Sequence, residues 1–248
     1  MDDRIKSLAD ALSAADTAVA LTGAGISRPS GIPDFRSEDG LWTEYDQRDF
    51  GLPAFRADPG SFWERWLETH DEMLADGVEP NAAHEALATL EAEDHLDAVI
   101  TQNVDGLHRA AGSESVIALH GRGDRAVCRD CGRRVEIDGP MDRAREGDLP
   151  PACEACGSTL KPDTVLFGER LPDDERRRAT GLARESDVFL AIGSSLTVEP
   201  AASLPMSAAD RGATLAVVNA EPTKHDGRAD FVFQADVTDV LPALADAA

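Results

Sequence analysis

The chain has 248 residues, with 47 acidic against 24 basic side chains and a formal net charge of −23. That balance excludes a protein whose main work is to grip a nucleic-acid backbone, which needs a basic footprint, and the length suits one large domain, or a large one with a smaller insert, burying roughly 70% of its unfolded surface. Only Lys6, Lys161 and Lys224 are lysines, and an acid-rich, lysine-poor, alanine-rich globular pattern predicts a halophilic protein, soluble in concentrated salt that screens its self-repulsion.

Ile5, Leu8, Ala9 and Leu12 recur at helical spacing, and the run 17–21 reads as a buried strand. There is no signal-peptide pattern at the N-terminus and no run near the ~18 apolar residues of a membrane span, so a cytoplasmic protein without membrane contact is expected. Residues 22–36 read T-G-A-G-I-S-R-P-S-G-I-P-D-F-R. Gly23 and Gly25 let the backbone turn sharply and approach a ligand. A helix starting just after Gly25 would aim its N–H groups at a pyrophosphate, and Asp34, Phe35 and Arg36 add an acid, an aromatic and a cation. Alone the signal is weak, because Arg28 stands where the dinucleotide fingerprint has its third glycine. A tight turn with no ligand is the other reading.

Residues 38–80 hold Trp42, Tyr45, Phe50, Phe55, Phe62, Trp63 and Trp66. This composition marks a helical insert, broken at Pro53 and Pro59, whose aromatics read first as core and second as a ligand-facing wall. Asn81 is a suitable N-cap for a helix over 82–93, and a strand over 97–101 restores β-α-β order. Gln102, Asn103 and Asp105 then fall at the C-terminal end of that strand, where open parallel sheets place ligands. A further apolar run, 116–119, delivers His120 and Gly121 to the same edge. His84 and His108 read as locally hydrogen-bonded, and His70, His95 and His225 as surface residues.

Residues 122–162 form a second, polar insert. Cys128-x-x-Cys131 and Cys153-x-x-Cys156 use every cysteine in the chain, giving four soft ligands suited to one structural zinc with no open position. Two redox-active dithiols are the alternative. Residues 161–169 then read as a strand-like run, 173–185 as a charged helix, and 188–192 as a strand opening onto Gly193, Ser194 and Ser195, small residues suited to ribose or phosphate. A strand over 214–218 ends at Asn219, and 231–233 precedes a C-terminal helix. The predicted fold is α/β: a Rossmann-like parallel sheet domain (1–37, 81–121 and 163–248) with a smaller domain made of a helical insert (38–80) and a zinc-binding insert (122–162).

The motifs G-A-G-I-S, G-I-P-D-F-R, T-Q-N-V-D-G-L-H, H-G, the paired C-x-x-C, V-L-F-G-E and G-S-S-L occur in the order found in sirtuins. The chain resembles these NAD-dependent protein-lysine deacylases over nearly its whole length. The resemblance implies that Gly23, Ala24 and Gly25 line the NAD pyrophosphate, and that Gly193, Ser194, Ser195, Asn219, Glu221 and Asp236 border the ribose and adenine. Asn103, Asp105 and Ile32 would receive the nicotinamide carboxamide. Phe35 would cover the ribose, with Asp34, Arg36 and Gln102 orienting it. His120 would be the general base that activates a ribose hydroxyl as the acyl group moves from lysine to ADP-ribose.

An acyl-lysine protein substrate would add its backbone as a strand beside Val165, Leu166, Phe167 and Gly168 and beside a segment containing Val198. Glu199 and Lys161 depart from residues frequent in the family. Two other readings share these features: ADP-ribosyl transfer to a protein, and a binding module without turnover. Relatives that prefer succinyl or malonyl lysine carry a Tyr-x-x-Arg pair on the insert helix. Here Trp63 and Trp66 are expected near those positions with Arg65 one step off, which implies preference for uncharged acyl groups.

Overall fold

The computed structural model describes residues 2–35, 40–73 and 77–248. The chain opens with α1 (Asp2–Ala14) and β1 (Ala18–Thr22), then makes two short 3-10 turns, Ala24–Ile26 and Arg28–Ser30. After further 3-10 turns come α2 (Leu52–Ala57) and α3 (Pro59–Met73). Next are α4 (Ala82–Ala92), β2 (Ala98–Thr101), α5 (Leu107–Ala110) and β3 (Val116–Ala118). The segment β4 (Gly121–Cys128), β5 (Arg134–Glu136), α6 (Asp138–Arg145) and β6 (Leu160–Thr164) follows. The chain closes with α7 (Asp173–Glu185), β7 (Val188–Ile192), α8 (Leu204–Ala209), β8 (Thr214–Val218), β9 (Phe231–Phe233) and α9 (Val237–Ala245).

Six strands form one sheet in the order β3-β2-β1-β7-β8-β9, and every pair is parallel. The strands are continuous apolar runs because both faces are covered. Alternate side chains divide between two cores. Ala18, Ala20, Leu190, Ile192 and Val218 face one helical layer with Leu8, Leu87 and Leu241, while Val19, Leu21, Phe189, Ala191 and Val217 face the other with Ala183 and Ala208. From β1 the chain winds outward through β2 and β3, then returns to β7 and winds the other way. The strand order therefore reverses between β1 and β7, which leaves a crevice at their C-terminal ends.

A second, antiparallel sheet has the order β5-β4-β6. It shares a third core with the helical segment, in which Phe55, Phe62 and Trp63 pack with Met141, Cys128 and Cys153. Trp63 Nε1 donates to the Leu160 carbonyl at 2.9 Å, so β6 is joined directly to α3.

One expectation holds and three are corrected. The helical insert is interrupted at Pro53 and Pro59 as expected, each proline standing in the first turn of the next helix, α2 and α3, where it has no N–H to lose. No long helix follows Gly25; the two 3-10 turns are too short to supply an axial dipole. β6 runs to Thr164, past the expected insert boundary at 162, because it is bonded to β4 of the small sheet. Residues 165–169 are consequently not a strand.

Candidate active site

The crevice opens into one cavity of about 1200 Å³, above the roughly 300–1,000 Å³ of a usual small-molecule site. Its floor is made where two glycine loops interlock. Gly23 N–H donates to the Ile192 carbonyl at 3.1 Å, and Gly25 N–H donates to the Gly193 carbonyl at 2.8 Å. A Cβ on Gly25 would lie 2.7 Å from that carbonyl oxygen, and one on Gly193, at φ +57°, 2.4 Å from Ile26 N. The glycines are thus required first by loop-to-loop contact, which holds the backbone flat beneath the ligand space.

Beside this floor, β2 delivers Gln102, Asn103 and Asp105. Asn103 Nδ2 donates to the Gly23 carbonyl and to Ser27 Oγ, both at 3.1 Å. Ser27 Oγ donates in turn to Asp105 Oδ2 at 2.7 Å. Behind them lie two buried imidazoles with ring centroids 4.9 Å apart. His84 closes a capping box on α4 with Asn81 and stands 3.5 Å from Ser27 Oγ; His108 Nε2 lies 2.9 Å from Thr22 Oγ1. Desolvation holds both well below the ordinary histidine value, His84 at about 4 and His108 at about 3.

His120 follows β3. Its Nδ1 lies 2.9 Å from the Gln102 carbonyl. A carbonyl only accepts, so Nδ1 carries the proton and Nε2 is left bare. Burial lowers the His120 pKa, opposed by the bond to Gln102. Gly121, at φ +80°, permits the turn into β4, and a Cβ there would sit 2.0 Å from the Asp163 carbonyl oxygen.

The other described residues proposed for NAD or for the substrate line the same cavity: Ala24, Ile32, Asp34, Phe35, Ser194, Ser195, Asn219, Glu221 and Asp236 for NAD, and Val165, Leu166, Phe167, Gly168 and Val198 for the substrate. Arg36 lies outside the described residues. Ser194 Oγ accepts from Gln102 Nε2 at 2.9 Å, and Asn219 Nδ2 donates to the Glu221 carbonyl at 2.7 Å. Asp236 caps α9 through Thr238 N at 2.8 Å. Phe35 stacks on Trp42, centroids 5.4 Å apart, and Trp42 meets Phe167 edge-on at 5.6 Å.

Several histidine and tryptophan expectations change. Trp63 is fully buried in the third core and does not reach the cavity. Phe62, Trp66, Thr69, His70 and Met73 do, one face of α3 at helical spacing. His70 is half-buried on that face, with Trp66 against it at 4.8 Å. His95 and His225 are also half-buried, and His225 Nε2 bonds the Ala202 carbonyl at 3.1 Å.

Apart from the cavity, the four cysteine sulfurs lie within 4.8 Å of one another. Cys128 and Cys156 are 3.4 Å apart and Cys131 and Cys153 are 3.8 Å apart. A tetrahedron of bonds of ~2.3 Å to zinc puts sulfurs about 3.8 Å apart, whereas a disulfide needs ~2.05 Å. The residues fit a zinc ion. Bringing both C-x-x-C pairs into one cluster disfavours two separate dithiols.

Residues 23–200 match the profile of the Sir2 family. The chain belongs to that family. An NAD-dependent protein deacetylase of Haloarcula marismortui is 52% identical over 246 residues, 98% of this chain and 94% of that one. An NAD-dependent protein deacylase of Aeropyrum pernix is 50% identical over 215 residues, 86% of this chain and 85% of that one. A Sir2 structure with a deacetylated peptide and 3′-O-acetyl-ADP-ribose superposes with TM-score 0.90 at 38% identity, covering 98% of this chain and 97% of that one. On this Sir2-family chain, sequence reasoning passed over Ser27. Its signal was present, since it ends G-A-G-I-S, but only the fold shows that it bridges Asn103 to Asp105.

Proposed function

We infer that this Sir2-family chain is an NAD-dependent protein deacylase, which releases nicotinamide and transfers the acyl group of a modified lysine to ADP-ribose. The observation that carries the reading is His120. Its proton is fixed on Nδ1 by Gln102, so a bare Nε2 remains in the cavity that Asn103 and Asp105 also line. NAD, as co-substrate, supplies the electrophilic ribose carbon and the hydroxyl that receives the acyl group.

The chain's residues then have separate tasks. The flat glycine floor gives the pyrophosphate backbone to lie on. Asn103 Oδ1 and the Asp105 carboxylate, oriented through Ser27, offer acceptors to the N–H groups of a carboxamide. Phe35 and Trp42 exclude water while positive charge develops on the ribose. His120 takes the hydroxyl proton. Residues 165–168 receive the substrate backbone, and the four cysteines hold zinc as a structural ion, outside the reacting groups.

On the acyl side, Trp66 and Thr69, three residues apart, both meet the cavity, and no described lysine or arginine of α3 lines it. Thr69 Oγ1 is committed to the Arg65 carbonyl at 2.9 Å. Uncharged acyl groups are therefore the expected substrates, since α3 offers a distal carboxylate no cation. The acidic surface fits a cytoplasm rich in salt. Among the described residues no helix is long and apolar enough to cross a membrane.

Mass spectrometry of the chain with NAD and an acetyl-lysine peptide tests the reading. The expected products are unmodified lysine peptide, nicotinamide and O-acetyl-ADP-ribose in equal amounts. ADP-ribosylated protein without lysine release, or no turnover, would overturn it.

A further inference from the structure

Residues 165–168 belong to no ladder, yet they are tethered on three sides. Val165 N–H donates to the His120 carbonyl at 2.7 Å, and the Phe167 carbonyl accepts from Leu52 N–H at 2.9 Å. The third tether is Glu169. Its backbone N–H donates to the Leu166 carbonyl at 2.8 Å, and its Oε2 accepts from Leu166 N–H at 3.1 Å. Both backbone groups of Leu166 are thus taken up by one residue.

The Glu169 carboxylate is itself clamped. Oε2 also accepts from Lys161 Nζ at 3.1 Å, and Oε1 accepts from Arg129 Nη1 at 3.2 Å. Lys161 sits on β6 with 4% of its surface exposed, and its ammonium also donates to the Thr164 carbonyl. Arg129 directly follows the ligand candidate Cys128. Burying a lysine in a chain that has so few is costly, and a buried ion pair contributes little net stability. What such a pair does supply is a fixed conformation.

We propose that Glu169, held between Lys161 and Arg129, is a positioning residue that sets the segment 165–168 in the geometry that binds the acyl-lysine backbone. The assignment rests on the reading that this segment receives the substrate. It makes the small sheet, which carries Lys161 and Arg129, a support for substrate binding and leaves the NAD floor independent of it.

The test uses the full chain in molar KCl with the variants Glu169→Gln, Arg129→Gln, Lys161→Gln and Lys161→Arg. Kinetics with an acetyl-lysine peptide are combined with calorimetric titration of that peptide and of ADP-ribose. Loss of charge-assisted bonds in Glu169→Gln and Lys161→Gln should raise the peptide KM and Kd by about 10-fold. Arg129→Gln, at a half-exposed site, should raise them by about 3-fold. The kcat at saturating peptide should stay within about 2-fold, which marks loss of uniform binding. ADP-ribose affinity should not move, and Lys161→Arg should behave as wild type. A purely structural role would instead lower kcat or both affinities together. Unchanged peptide affinity in Arg129→Gln and Glu169→Gln overturns the proposal while leaving the deacylase reading intact. Wild type that binds no acetyl-lysine peptide overturns both. If a buried-site variant fails to fold, Arg129→Gln and Lys161→Arg still decide.

Discussion

Burial pulls the His120 imidazole below the ordinary histidine value of 6.5, against an opposing pull from the Gln102 carbonyl. In the role proposed for His120 the neutral form is the base, so activity falls as pH falls through this pKa. Because the pKa is lowered, the acid limb of kcat/KM should lie below 6.5, and a limb above it would contradict the assignment. His120→Ala should reduce deacylation by about 10²–10⁴-fold while ADP-ribose affinity stays near wild type. Asn103→Ala should instead slow nicotinamide release, measured as exchange of labelled nicotinamide into NAD. His120 was legible in sequence because an apolar strand precedes it and a glycine follows. Ser27 was not, since a serine acquires its role only when β2 brings Asn103 and Asp105 alongside.

The strands of the parallel sheet were readable as elements, since 188–192, 214–218 and 231–233 are continuous apolar runs and both faces of the sheet are covered. The segment 161–169 misled, because its apolar residues look like one strand while only its first part, to Thr164, pairs within a sheet. The face of α3 was also hidden. Trp63 and Trp66 differ by nearly a helical turn, yet one packs inward against β6 and the other toward the cavity, a division set by tertiary contact. For the cysteine element, Cys156→Ser is the informative change, because Cys156 is exposed and its loss removes a ligand without opening a core. Zinc content by metal analysis should be about one per chain in wild type. The variant should hold metal weakly and lose the small sheet's thermal protection. Fully active, stable protein free of zinc would refute the site.

At the scale of the molecule, a net charge of −23 should make stability rise with KCl up to the molar range, where the screening length falls to about 3 Å. A melting temperature that ignores salt would make the acidic surface incidental. Acid should act through a different device. His84 and His108 titrate at about 4 and about 3 in the folded chain against 6.5 when unfolded. The unfolded chain therefore binds more protons across that window, and stability present above 6.5 is lost as pH falls toward those values, by up to about 1.4 kcal/mol per pH unit for each group. Denaturation midpoints between pH 7 and pH 5, at fixed salt, would reveal the slope. The seam between the β1–β3 and β7–β9 halves bears on how the chain's lineage is read. Gly23, Gly25 and Gly193 are demanded by the contact of two loops, whatever the molecule later does with NAD. A descendant that had lost all turnover would still keep those glycines, or its two halves would part. They testify to architecture and ancestry, and a test of living catalysis belongs at His120 and Asn103, the residues proposed for it.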